Sequence, residues 1–254
     1  AKLGKLALAA FAVDKIIDFS KQAIQLGSDI AEVQNVVDVA FGDMSSAVDE
    51  FAQNAITNFG ISELAAKRTA STYMAMASNM GLTQDAAAEM ALTLTGLTGD
   101  VASFYNISQE LADIKLKSVF TGETETLKDL GIVMTQANLE AFALSQGISK
   151  SISEMSQAEL VTLRYNFVLD QLSLASGDFI RTQDSWANQT RILSMQWEQF
   201  MSIIGQALIQ VLLPVVQVLN RIVSALIDMA NAFNAAITAI FGGANTEIQQ
   251  TQAN

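Results

Sequence analysis

The stretch that decides the fold reads IGQALIQVLLPVVQVLNRIVSALIDMANAFNAAITAI and covers residues 204–240. Its apolar residues recur at steps of three, four and four, so an eleven-residue repeat runs through it. An α-helix places such residues along one face, and eleven residues over three turns correspond to about 3.67 residues per turn. The pattern therefore predicts one long helix with a nearly straight or slightly right-handed apolar line, rather than a left-handed heptad coil.

We call this apolar line the seam and expect copies of the chain to associate along it, in parallel around an axis. A second apolar line flanks the seam, so the face is wide enough for three or more helices or for a further protein surface. Pro214 removes one backbone hydrogen bond and predicts a kink or a loosened turn. The seam consists of Ile204, Ala207, Val211, Val215, Val218, Ile222, Leu226, Met229, Phe233, Ile237 and Ile240, and the flanking line of Ile203, Leu208, Leu212, Leu219, Val223 and Ile227.

Two other interpretations of this helix compete with self-association. Residues 199–220 contain no charged side chain, and about 20 apolar residues are enough to span a bilayer. Amides such as Gln206, Gln210 and Gln217 interrupt the stretch, and a dedicated membrane-spanning helix rarely contains so many. A core helix of a large domain is the other interpretation, but globular helices average only about 10–14 residues.

Glycine stops and capping residues divide the preceding part of the chain into short helices. We predict an irregular segment over 97–106, a brief extended stretch at Ile132 and Val133, and a helix end at Gly27. The apolar run 6–13 has some features of a signal peptide, but apolar spacing that continues beyond it favours an internal helix. The predicted helices are 3–26, 29–41, 45–59, 62–80, 83–97, 108–120, 123–130, 135–147 and 156–175, with capping boxes at Asp29–Glu32 and Ser156–Glu159.

The predicted organisation is all-α, in three parts. Residues 1–180 form a helical bundle, residues 181–241 form the long amphipathic helix, and Gly242 and Gly243 end it. Residues 242–254 are a polar tail or linker. Because the sequence starts at Ala1 and not at Met, we expect it to be a piece of a longer polypeptide.

Composition supports the helical prediction and excludes several kinds of chemistry. Half of the residues are hydrophobic but only 7% are aromatic, and there is one proline, a balance that favours helix. Histidine and cysteine are absent from the sequence, which excludes histidine triads, thiol nucleophiles, zinc fingers and disulfides. A net charge of −12 opposes specific nucleic-acid binding, because an acidic surface repels phosphates.

The remaining candidates for catalysis have structural explanations. Glu123 and Glu125 are two residues apart and do not share a helix face, so dipole stabilisation of a first helical turn explains them better than a glycosidase pair. We expect Trp186 and Trp197 to be packing anchors. No cofactor or metal site is predicted and the chain is expected not to be an enzyme, with a carboxylate-based cell-wall hydrolase as the remaining alternative.

Six segments, in one order along residues 27–220, together resemble the phage tail tape measure protein family. Each segment alone has little specificity, and their combination carries the resemblance. The segments are GSDIAEVQNVVDVAFG at 27–42, DVASFYN at 100–106, FTGETETLKDLGIVMTQ at 120–136, LRY at 163–165, GDFIRT at 177–182 followed by WANQTR at 186–191, and IGQ at 204–206 ahead of Pro214.

The resemblance implies a structural component of the virion, threaded through the lumen of the tail tube near the tail tip. In that family the protein sets the length of the tail during assembly and leaves ahead of the genome during ejection. Copies commonly form a small coiled-coil bundle, often a trimer. The implied partners are tail tube and tail tip proteins (distal tail and baseplate hub) and, during ejection, the host membrane. No family catalytic residue carries over.

The alternative function is a membrane-inserting or channel-forming protein that aids DNA delivery.

Overall fold

The computed structural model describes the backbone of residues 2–251 and the side chains of residues 15–239. Every regular element in this part of the chain is a helix, and a set of helices is followed by one long helix, which confirms the predicted fold class. The helices are α1 Lys2–Phe41, α2 Ser45–Phe59, α3 Glu63–Asn79, α4 Gln84–Phe104, α5 Gln109–Leu116, α6 Ser118–Thr121, α7 Glu125–Lys128, α8 Gln136–Ser145, α9 Gln157–Gln171, α10 Asp178–Thr182 and α11 Trp186–Thr251.

The chain divides into two units, residues 1–205 and residues 206–254. The first unit therefore includes the beginning of α11, which the sequence-based division near residue 180 assigned to the second part. The helix also continues through the pair Gly242 and Gly243 to Thr251, so the expected helix end at those glycines is wrong. Two glycines cost a helix only about 1 kcal/mol each and do not oblige it to stop.

Side-chain caps begin the helices of the first unit where the sequence predicted them. Ser62, Thr83, Ser108 and Thr135 each accept a hydrogen bond from the backbone N–H three residues further on. The Ser156 hydroxyl and the Glu159 carboxylate form the predicted reciprocal capping box. Such caps satisfy backbone donors that the first turn leaves free, which fixes where each helix starts.

Three glycines predicted to interrupt helices lie inside them. α1 continues through Gly27, so its predicted end there and the capping box at Asp29 are wrong. α4 continues through Gly96 and Gly99, so the segment 97–106 is helical to Phe104. A Cβ at Gly96 would lie 2.9 Å from the ring of Phe59, and one at Gly99 would overlap its carbonyl oxygen. These two glycines therefore allow α2 to approach α4 closely. The predicted extended stretch at residues 132–133 forms no strand.

The core of the first unit surrounds α3 and α4. Tyr73 and Phe120 are buried at its centre and their rings stack with centroids 5.7 Å apart. Asp100 on α4 accepts hydrogen bonds from the backbone N–H groups of Gly177, at 2.7 Å, and Phe179, at 3.1 Å. Burial raises the pKa of Asp100, although these two hydrogen bonds oppose the rise. The carboxylate thereby fixes the start of α10 against α4.

The first turns of α11 dock on the first unit through one face. Met195, Met201 and Ser202 are buried on this face. A Cβ at Gly205 would overlap the carbonyl oxygen of Ala23 on α1, and it would lie 3.1 Å from the backbone nitrogen of Gly27. The backbones of α1 and α11 therefore touch at this point, and only glycine fits.

The substitution Gly205→Ala should weaken this contact, because the added methyl group meets backbone atoms that cannot rotate away. Overpacking of this kind costs about 1–3 kcal/mol, so we expect a clear fall in the thermal unfolding midpoint. Ser224→Ala, at an exposed position on the same helix, is the matched control and should change stability by less than about 0.5 kcal/mol. Equal midpoints for the wild type and Gly205→Ala would contradict the close approach.

Candidate functional site: the exposed apolar helix

Within the second unit, α11 buries none of its described side chains over residues 210–239. The seam residues from Val211 to Ile237 are therefore all exposed, and Val211, at 71%, and Phe233, at 69%, are among the most exposed. Ala207 is also exposed, whereas Ile204 belongs to the first unit and is half-buried. The side chain of Ile240 lies outside the described residues. The structure thus places the seam from Ala207 to Ile237 on one uncovered helix.

The apolar surface of this helix is wider than the seam. Four residues of the flanking line in this unit, Leu212, Leu219, Val223 and Ile227, are exposed as well. Leu213 and Val216, on either side of Pro214, add exposed apolar surface that belongs to neither line. Apolar side chains therefore cover most of the circumference, and a helix of this kind is normally buried.

A narrow polar stripe accounts for the rest of the circumference. Arg221 and Asp228 are the only charged residues between positions 199 and 239. The steps from Gln210 to Gln217, then to Arg221 and then to Asp228 are seven, four and seven residues. All four side chains therefore lie along one side of the helix. One polar side and a broad apolar side are the arrangement expected when several helices bury the broad side together and leave the stripe in water.

The same helix meets the length and composition of a membrane-spanning segment. Trp186–Ala239 contains a window with a mean hydropathy of 1.9, of which only 11% is buried, and it is the one such candidate among the described residues. The low burial separates this helix from an ordinary core helix of a soluble domain. Arg221 and Asp228 would each be costly at the centre of a bilayer.

A polar cleft with a volume of about 630 Å³ lies in the first unit. Arg68, Asp113, Lys117, Arg191 and Glu198 are among the residues that line it. Lys117 pairs with Asp113 at 2.6 Å, which neutralises one charge of each sign. No group of His, Cys, Asp or Glu side chains in the described part of the chain is arranged to hold a metal ion.

Glu198 connects this cleft to α11. Burial raises the pKa of its carboxyl group, while the Ser62 hydroxyl, which donates to it at 3.4 Å, and the nearby Arg68 oppose the rise. The pair Glu123 and Glu125 lines no part of this cleft. Glu125 instead pairs with Lys128 at 2.7 Å, in the first turn of α7.

The tryptophans differ from their predicted role as packing anchors. Trp186 is 84% exposed and Trp197 is 58% exposed, so neither is anchored in the core. Trp197 contacts the rings of Phe19 and Phe200 at the surface. The sequence interpretation missed this surface cluster. The eleven-residue repeat extended towards the N-terminus includes Phe200, but no signal in the sequence pairs Phe19 with Trp197.

No family model, no curated protein and no solved structure matches the chain. The resemblance to tape measure proteins therefore rests on the six quoted segments, and the function that it implies is a proposal.

The raised pKa of Glu198 gives a prediction about stability and pH. A carboxyl group whose pKa is higher in the folded state lowers stability above that pKa, and this cost disappears as the pH falls below the unfolded value of about 4.3. Glu198→Gln removes the desolvated charge and keeps an acceptor for Ser62. We expect its unfolding midpoint to rise by roughly 1–3 °C at pH 7 and to match the wild type near pH 4.

The control for this experiment is Glu50→Gln, at an exposed position on α2. This variant should unfold close to the wild type at neutral pH. A lower midpoint for Glu198→Gln at pH 7 would mean that the charge of Glu198 stabilises the fold.

Proposed function

We propose that the chain is a structural, self-associating segment of a phage tail tape measure protein, located in the lumen of the tail tube near the tail tip. The observation that carries the proposal is the uncovered apolar surface of α11 over residues 210–239. Soluble monomers rarely expose contiguous apolar patches beyond a few hundred Å². Burial of each large side chain along the seam contributes roughly 1.5–3 kcal/mol, which gives the copies a strong reason to associate.

The geometry of the helix supports a parallel bundle of about three copies. The eleven-residue repeat keeps the seam on one side of the helix, so like residues of the copies meet around a common axis. The polar stripe with Arg221 and Asp228 then lies about 100° around the helix from the centre of the seam, outside the contact between copies. An extended bundle also suits a protein that occupies a narrow tube, and the net charge of −12 suits a lumen through which DNA passes without adhering.

In this proposal the chain is a physical component and performs no catalysis. Its partners are other copies of itself, the tail tube, and the distal tail and baseplate hub proteins of the tail tip. Its extended length contributes to tail length during assembly, and the bundle leaves the tube during genome ejection. The resemblance supplies these roles, and the exposed helix supplies the physical means by which the copies hold together.

Disulfide or bismaleimide crosslinking of single-cysteine variants tests the self-association, because the sequence has no native cysteine. Cysteines at Ile222 and Leu226 should link between copies more efficiently than a cysteine at Gln217, which lies off the seam. Ile222→Asp should dissociate the bundle, because a buried unpaired charge is costly. Gln217→Asp is the matched control and should leave association unchanged.

Equal crosslinking at the three positions would contradict a specific seam.

The second candidate function, a membrane-inserting or channel-forming protein, is favoured by the hydropathy and low burial of Trp186–Ala239. It predicts that the chain floats with liposomes and that seam cysteines become inaccessible to a water-soluble thiol reagent only when lipid is present.

The tape measure role predicts that tail length follows helix length. Duplication of residues 207–239 adds three eleven-residue repeats in phase with the seam. A helix rises about 1.5 Å per residue, so virions carrying the duplication should have tails longer by about 50 Å in electron micrographs. A flexible insertion of the same length after Gly147, in an exposed loop of the first unit, is the control and should leave tail length unchanged. Unchanged tails in the duplication variant would contradict the role.

A further inference from the structure

The part of α11 in the first unit has two opposite faces. Met195, Ser202 and Gly205 lie on the face that docks against the rest of the unit. Leu193, at 67% exposed, and Phe200, at 47% exposed, lie on the other face. Successive helix residues are rotated by about 100°, so Leu193 and Phe200 are separated by only about 20° around the helix and lie opposite the docked face.

Four side chains on this side form a surface that we call the aromatic patch: Phe19 of α1 and Leu193, Trp197 and Phe200 of α11. The rings of Trp197 and Phe200 have centroids 5.5 Å apart, and Phe19 meets the Trp197 ring edge-on at 6.4 Å. The patch is therefore held in one arrangement by contacts between α1 and α11. Clustered, preorganised aromatic side chains are the residues that contribute most to protein–protein interfaces.

The aromatic patch is in phase with the seam. Leu193 is eleven residues before Ile204, and Phe200 is eleven residues before Val211. The repeat that defines the seam therefore begins at least one period earlier than residue 204, inside the first unit. Glu198 and Arg191, the charged residues of this stretch, are on the opposite side, where they line the polar cleft.

We infer that the aromatic patch is a contact between copies of this chain. The inference rests on the proposed self-association and extends it, since it adds a surface of the folded first unit to an interface otherwise made by the helix alone. The occupant is a second copy, because Leu193 and Phe200 continue the eleven-residue repeat along which the copies are proposed to associate. Phe200 of one copy then contacts Phe200 of the others.

Single-cysteine variants at three positions test the inference in the full chain. Positions 200 and 222 sample the aromatic patch and the seam. Position 174 is the control, because Leu174 is an apolar residue of the first unit that is even more exposed than Phe200. We expect a short bismaleimide to link copies at 200 and 222 but not at 174. Linking at 222 with none at 200 would overturn the inference and leave the proposed function standing. No linking at any position would remove both. Equal linking at all three positions would also overturn the inference, because linking at 200 would then not exceed linking at the control position.

A second measurement gives the inference an energetic readout. Phe200→Ala removes most of an aromatic side chain from the contact and should raise the dissociation constant of the assembly by about tenfold or more. Leu174→Ala is the matched control and should leave it unchanged. Because Phe200 is half exposed in the single chain, its loss should hardly change the helix content. Equal dissociation constants for the two variants would overturn the inference even where the seam itself associates.

Discussion

A helix that exposes apolar side chains over most of its circumference needs a covering surface in water. The protein therefore depends on a partner surface that buries α11. The first unit covers only the beginning of α11, through the face that carries Met195, Ser202 and Gly205. Beyond that point the described side chains of residues 210–239 are all exposed. Other copies of the same helix are a covering surface that matches the eleven-residue repeat in both period and polarity, whereas a bilayer would also have to accommodate Arg221 and Asp228.

The segments that carry the resemblance meet one another in pairs within the first unit. Asp100, in the second segment, accepts hydrogen bonds from Gly177 and Phe179 in the fifth. A Cβ at Gly122, in the third, would lie 2.6 Å from the guanidinium group of Arg164 in the fourth.

The first and sixth segments form the remaining pair. Gly27 in the first lies against Gly205 in the sixth, where the backbones of α1 and α11 touch. These segments are therefore the joints between helices of the bundle.

Local signals in the sequence predicted correctly the helix starts that are capped by a serine or threonine side chain, and they predicted the helix ends less well. The capping hydroxyls of Ser62, Thr83 and Ser156 act within three residues, so the sequence contains the whole interaction. A glycine has two possible roles that the sequence does not separate. Gly60 ends α2 with a φ of +62°, whereas Gly27 lies inside a helix at a close approach to α11. Only the partner across the contact distinguishes the two roles.

The candidate site shows the same limit. Periodicity alone placed the seam on one long helix, because the spacing of apolar residues is a local property. Periodicity could not reveal which face at the beginning of α11 packs against the rest of the first unit. It also could not reveal that Trp197 lies at the surface and not in the core. The aromatic patch depends on Phe19, which lies far away in the sequence, and such a contact follows only from the packed fold.

Sedimentation equilibrium of the intact chain over a wide range of concentrations tests the central claim most directly, because it measures mass without assuming a shape. If copies cover the exposed face of α11, the chain forms a discrete species of about three times the monomer mass, and Ile222→Asp returns it to one. A fully helical wild-type chain that sediments as a monomer at every concentration would contradict self-association as the way in which this helix is covered.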